Sequence, residues 1–170
     1  MKKLLLVIGF LLFCCSLNLA QEIPSVEIFG GYAYSRILSA GSGEPVHSNG
    51  WEASAGWNLN RWFGLKGDFE GSYCCHQQYL YSFLGGPQLS LRREKYTVFA
   101  HGLLGGAHAK GLSATDTDLA WAAGGGVDWN VHRLLAIRLG QVDYFGTHFL
   151  SRTQDDLRVS AGLVFRLGRK

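Results

Sequence analysis

The residues able to do chemistry are six histidines, two pairs of adjacent cysteines (Cys14-Cys15 in the N-terminal apolar stretch and Cys74-Cys75), and carboxylates and bases that recur at every second position. A hydrolase or acyltransferase needs a histidine beside a serine, with a carboxylate to orient the ring, on neighbouring strands. His47-Ser48, His108 with Ser113, and His148 with Ser151 are the available pairs. All three fall in segments that the pattern predicts as loops, and none has the His-x-Ser spacing that sets two side chains on one strand face. His101 sits in a strand without a nearby serine. Satisfied or solvated histidines are the commoner case, so no catalytic residue is assigned.

Cys74-Cys75 with His76 lacks the spaced second pair of a structural zinc site. Adjacent cysteines close only a strained ring. Free thiols, a vicinal bridge and a metal-binding pair stay open beside the plainer reading of a polar loop. The glycines at 124–126 lie in mid-strand with no helix after them, so they are not a phosphate-cradling loop. No metal and no cofactor is assigned.

What remains is the alternating charge, and the elements that carry it are strands. Residues 119–144 contain two runs of alternating bulky and small or polar residues, joined by a turn at His132-Arg133. In the first run Leu119, Trp121, Ala123, Gly125, Val127 and Trp129 share one face; Ala120, Ala122, Gly124, Gly126, Asp128 and Asn130 share the other. A period of two means strand. Each run is about ten residues, the length of a tilted strand crossing a bilayer. The small, polar face cannot be a packed soluble core, which turns the bulky face to lipid and the polar face to a lumen.

The same alternation recurs along the chain. Strands are predicted over 26–36, 51–59, 63–73, 79–92 and 96–108, then the two runs just described, then a last strand from Leu157 to Leu167. Pro87 predicts a bulge or local distortion, and the glycines from 102 to 106 leave the facing of the fifth strand open. Near Gly140 the phase slips, since Ile137 and Leu139 are apolar at odd positions and Val142 and Tyr144 at even ones. A glycine bulge produces such a slip. Long connections at 37–48, 110–117 and 146–155 and a medium one at 74–78 alternate with tight turns at 60–61, 93–95 and 132–133. The pattern predicts an all-β fold: an eight-stranded antiparallel up-and-down transmembrane β-barrel.

In this phase the inward set is Glu27, Glu52, Asp68, Glu70, Asp128 and Asp143 against Lys66, Arg92, Arg138, Arg158 and Arg166. An eight-stranded bore is only wide enough for its own side chains. The expectation is therefore a polar, salt-bridged plug rather than a pore. The bland alternative is the wet face of an open sheet, where ion pairs contribute little. Outward aromatics gather toward strand ends, among them Tyr32, Tyr34, Trp51, Trp57, Trp62, Phe63, Tyr73, Tyr79, Tyr81, Trp121, Trp129, Tyr144 and Phe145. Girdles at two membrane surfaces explain this, as does ordinary aromatic strand propensity.

The chain opens with Lys2-Lys3, an apolar run from Leu4 to Phe13, and small residues ahead of Gln21. That pattern predicts a signal peptide over 1–20 and a barrel domain over 21–170. Losing Lys2 and Lys3 reduces the formal charge of +3 to about +1, so no basic field points to nucleic acid.

The chain resembles the outer-membrane beta-barrel domain family, in particular the small eight-stranded barrels similar to the transmembrane domain of outer-membrane protein A. The likeness is carried by VEIFGGYAYSR from Val26, GWNLNRWFGLKGDFEG from Gly56, FLGGPQLSLR from Phe83, AWAAGGGVDWNV from Ala120, LAIRLGQVDY from Leu135 and LRVSAGLVFRLG from Leu157. It covers nearly all of residues 21–170, and the expectation is that no peptidoglycan-binding domain follows. The resemblance implies the outer membrane of a Gram-negative-type bacterium, outer-membrane lipid around the wall, and the barrel-assembly machinery as partner during insertion, which reads an aromatic strand end such as Phe165. It implies a fold more firmly than an activity. A structural or surface-interaction protein, acting through the long loops and with its surface ligand unread, is the first reading. A narrow solute channel and a lipid A modifying barrel enzyme are the alternatives.

Overall fold

The structure is a computed structural model that describes residues 23–37, 46–74, 78–110, 115–149 and 152–168. Eight strands follow one another: β1 (Val26–Ile37), β2 (Val46–Asn58), β3 (Phe63–Cys74), β4 (Gln78–Arg92), β5 (Tyr96–Lys110), β6 (Thr115–His132), β7 (Leu135–Phe149) and β8 (Arg152–Leu167). Each pairs antiparallel with its chain neighbours, and β1 also pairs with β8, so the sheet closes into a barrel. Closure removes the open edges that a sheet of this length would otherwise present.

Bulk decides which face turns in. Phe83, Leu104 and Leu119 are about two-thirds exposed, at 67%, 65% and 67%, whereas Glu52, Gln141 and Asp143 are at 0%. The polarity of a water-soluble barrel is inverted.

The slip near Gly140 is present as a bulge. Val127 stands opposite Gly140 but Asp128 stands opposite Arg138, and the register against β8 shifts between Arg138 and Gln141. Ile137 and Leu139 therefore face out before it, and Val142 and Tyr144 after it. This corrects the placing of Phe145 among the outward aromatics: one step beyond Tyr144 it points into the barrel and is buried.

Pro87 makes no bulge. It faces Leu65 in unbroken register, and the β4–β5 pairing stops at Gly85–Leu104 and resumes at Gln88–His101 with the same offset. The missing N–H costs local pairing only. β5 keeps one phase throughout, with Thr97, Phe99, His101, Leu103 and Ala107 inward.

Segments 110–117 and 146–155, expected as long loops, carry strand at both ends, since β5 runs to Lys110, β6 starts at Thr115, β7 runs to Phe149 and β8 starts at Arg152, whereas within 37–48 β1 ends at Ile37, β2 starts at Val46 and 38–45 lie outside the described residues. Ladder pairing carries the described strand ends past the point where the sequence stops alternating bulky with small or polar residues, so the period-two signal fades while the strand continues. The connections at the opposite end are tight. In the β2–β3 turn the Asn60 side chain accepts hydrogen bonds from the backbone N–H of Trp62 (2.9 Å) and Phe63 (2.8 Å), an Asx turn.

Candidate functional site: the ion-paired lumen

Alternation places every member of the charged inward set inside the wall, and the curvature of the barrel brings distant strands within reach. At the level nearest the tight turns, Glu27 receives Arg92 Nη2 at 2.9 Å and Arg166 Nε at 3.0 Å. Asn58 Nδ2 donates to Glu27 Oε2 at 3.2 Å, and Arg166 Nη1 donates to Asn130 Oδ1 at 2.8 Å. β1, β2, β4, β6 and β8 are thereby tied together at one rim.

One layer deeper, Arg138 forms a fork with Asp128, Nε to Oδ1 at 2.8 Å and Nη2 to Oδ2 at 3.3 Å. Its guanidinium lies 4.2 Å from the centroids of both Phe29 and Phe99. A planar cation between two aromatic faces is held electrostatically on both sides. Phe29 also packs with Ala136 and Val164 in a small apolar cluster.

The centre is built on Arg158, of β8, whose side chain is 1% exposed. Its Nε and Nη2 donate to Asp143 Oδ2 at 3.0 and 2.6 Å, and its Nη1 reaches across to β3, to Asp68 at 3.2 Å and Glu70 at 2.8 Å. Lys66 Nζ bridges Asp68 (3.1 Å) and Glu52 (3.4 Å). Gln141 Nε2 donates to Glu52 Oε1 at 2.9 Å and to Asp143 Oδ2 at 2.6 Å, joining β7 to β2. His101 Nε2 lies 2.9 Å from Asp143 Oδ1. Gly124 makes room for this arrangement, because a Cβ there would overlap Asp143 Oδ1 and the Val142 carbonyl oxygen.

Above the centre, Ser72 and Ser35 donate to Glu70 Oε1 at 2.7 and 3.3 Å. Leu84, Leu103, Ala107, Ala120, Ala122 and Phe145 then form a second, apolar cluster. The lumen is therefore not polar throughout, which corrects the expectation of a wholly polar filling: two apolar clusters alternate with the ion-paired layers. Glu27, Glu52, Lys66, Asp68, Glu70, Arg92, Asp128, Arg138, Asp143, Arg158 and Arg166 all stand in it. Sequence reasoning missed Gln141 and His101, which the bulge and the single phase of β5 bring in, and the signal for both was inward parity.

Among the described residues the lumen holds charge, and of the histidine–serine pairs singled out above only His47 with Ser48 falls wholly within them, where it makes no nucleophile–base pair. His47 is exposed and bonded to the Tyr34 hydroxyl, whereas Ser48 is buried on the opposite face and donates to the Tyr73 carbonyl at 3.2 Å. Neighbours on a strand point opposite ways. Cys74 ends β3 opposite Gln78. Cys75, His76, Ser113 and Ser151, and the side chains of Cys74 and His148, lie outside the described residues.

No protein-family model matches the chain, and no curated protein matches it. Solved structures do. Neisserial surface protein A superimposes with a TM-score of 0.66 at 14% identity, covering 84% of this chain and 97% of that one. Ail, the attachment invasion locus protein of Yersinia pestis, gives 0.59 at 19% identity over 84% of this chain and 100% of its own. The N-terminal β-barrel domain of Pseudomonas aeruginosa OprF gives 0.53 at 12% identity, covering 85% and 100%. The chain has the fold of the small outer-membrane barrels. At such identities the likeness speaks for architecture alone, and the role must be argued from the wall and the lumen.

Proposed function

We propose that the chain is an outer-membrane barrel of a Gram-negative-type bacterium with a structural or surface-interaction role, its bore closed by the ion-paired lumen. Residues 1–20, outside the described residues, serve in this reading as the export leader, and 21–170 as the barrel domain. One observation carries it: the polarity of the wall. Among the described residues, the outward positions between the level of Tyr32 and Trp51 and that of Leu59 bear no charge, whereas the charges are inside. A charge facing lipid at the midplane costs about 2–4 kcal/mol, and no such penalty applies in the lumen. Strands of 12 to 18 residues exceed the roughly 9–11 needed to cross, so part of the wall stands clear of the bilayer and is available to surroundings.

Outer-membrane lipid is the wall's partner in this reading, and the barrel-assembly machinery its partner on insertion, with Phe165 near the end of β8 as the aromatic signal. The closed lumen opposes the channel reading, and the opposed faces of His47 and Ser48 weigh against catalysis. A structure of Ail contains the heparin analogue sucrose octasulfate, which makes a sulfated saccharide the first soluble ligand to try here.

The detergent-solubilised protein should migrate faster on a gel before boiling than after it, and planar bilayers should show no steady conductance. Unchanged migration overturns the barrel-in-membrane reading, and stable open-channel current replaces the plug by a pore.

A further inference from the structure

The tight-turn end carries positive charge that the lumen does not use. Arg92 and Arg166 at that end are committed to Glu27. Beyond them, Arg61, Lys95 and Arg133 are exposed and Arg93 is half-buried, against one turn carboxylate, Glu94, among the described residues. The turns do not project as arms. Their carbonyl oxygens accept from the barrel rim: Arg61 from Arg92 Nη1 (3.1 Å), Arg93 from Asn130 Nδ2 (2.9 Å), Lys95 from Asn130 N (2.9 Å) and Leu134 from Arg166 N (3.0 Å). With the backbone fastened inward, the basic side chains are left at a fixed depth on the outside.

That depth is marked by what stands beside them. Leu59, Val131 and Leu134, at 44%, 56% and 53% exposure, flank the cations within the same turns, and Trp129 and Tyr96 lie one step further into the wall. The Arg61 guanidinium lies 5.0 Å over the ring of Trp62. Cations alternating with exposed aliphatic and aromatic side chains match the boundary where acyl chains give way to phosphates. A soluble acidic partner would match the charges but leave the apolar neighbours in water.

We infer that the tight-turn rim is a binding surface for the phosphate headgroups of anionic phospholipid in the leaflet on that side. This rests on the membrane reading above. It gives the barrel a preferred lipid shell at one end and fixes its depth there by charge as well as by bulk.

The test uses the full chain reconstituted in phosphatidylcholine vesicles containing brominated phosphatidylcholine or brominated phosphatidylglycerol, with tryptophan fluorescence as the readout. Trp57, Trp62 and Trp129 all lie toward the tight turns. Attraction of a basic side chain to an anionic surface corresponds to about fivefold in association per engaged cation, so the anionic probe should quench at an about fivefold or greater advantage at low salt. The variant Arg61→Gln/Lys95→Gln/Arg133→Gln, altered only at exposed turn positions, should insert normally and quench equally with both lipids. Arg61→Lys/Arg133→Lys should keep the preference. Equal quenching of the wild type by both lipids, or a preference the triple variant retains, overturns the inference and leaves the membrane reading intact. No quenching by either lipid overturns both. Sucrose octasulfate binding that depends on the same three residues without lipid assigns the rim to a soluble polyanion and overturns the lipid assignment.

Discussion

Replacing Arg158 by methionine removes the cation on which the centre of the lumen is built while nearly preserving its volume. Its guanidinium makes four hydrogen bonds of 2.6–3.2 Å to Asp143, Asp68 and Glu70. Hydrogen bonds to charged groups contribute about 1.5–3 kcal/mol each, but a simple sum overstates the loss because the carboxylates keep other partners. Asp68 keeps Lys66 at 3.1 Å, Glu70 keeps Ser72 at 2.7 Å, and Asp143 keeps His101 and Gln141. Breaking a buried pair by deleting one partner costs about 3–5 kcal/mol, and Arg158→Met is expected near about 4 kcal/mol. With a urea slope of about 1–3 kcal/mol/M, the midpoint should fall by about 1.3–4 M, followed by tryptophan fluorescence in zwitterionic vesicles with the gel shift as a second probe. Adding Glu70→Gln and Asp143→Asn to Arg158→Met removes charges left behind, so the combined variant should be more stable than Arg158→Met alone. Groups sharing one network couple by about 0.5–3 kcal/mol. A loss below about 1 kcal/mol, or effects that simply add, would refute the view that the lumen is a connected ionic plug.

Other expectations follow from particular contacts. Gly124→Ala, whose Cβ would press on Asp143 and the Val142 carbonyl, should destabilise by about 1–3 kcal/mol, whereas Gly30→Ala, with nothing within 4 Å of the added carbon, should change stability by less than about 0.5 kcal/mol; the pair is compared by urea melts. Phe145→Ala should cost about 3–5 kcal/mol because the ring is buried in the apolar cluster that includes Leu84 and Ala122. A charge at the same position and at Tyr144, in Phe145→Asp and Tyr144→Asp, should leave both poorly inserted, the first by breaking the core and the second by facing lipid, and the folding yield on gels reads both. Arg138→Ser takes the cation from between Phe29 and Phe99 and should give brief conductance events in planar bilayers where the wild type gives none.

The all-β class, the strand number and the outward and inward parity were legible in the sequence because a strand's side chains alternate whatever it pairs with. Phe63 to Tyr73 shows this: bulk at odd positions and charge at even ones is a local property, and it survives intact in β3. The slip at Gly140 was legible too, since a change of parity needs an extra residue somewhere. The strand ends were not. Toward Lys110, Thr115, Phe149 and Arg152 the sequence no longer alternates bulky with polar residues while pairing to the neighbour persists, so only pairing could show how far β5 to β8 continue.

The sequence by itself determined which charged side chains enter the lumen; only the tertiary structure turned Phe145, Gln141 and His101 inward and decided which side chains meet. Arg158 finds Asp68 and Glu70, and Gln141 finds Glu52, across separations of 88 to 90 residues. Those partnerships depend on the shift at the β7 bulge and on the closure of β1 against β8, which set the height and angle of every strand around the bore. Parity is fixed by the bond geometry of one strand, whereas opposition across a barrel is fixed by all eight together.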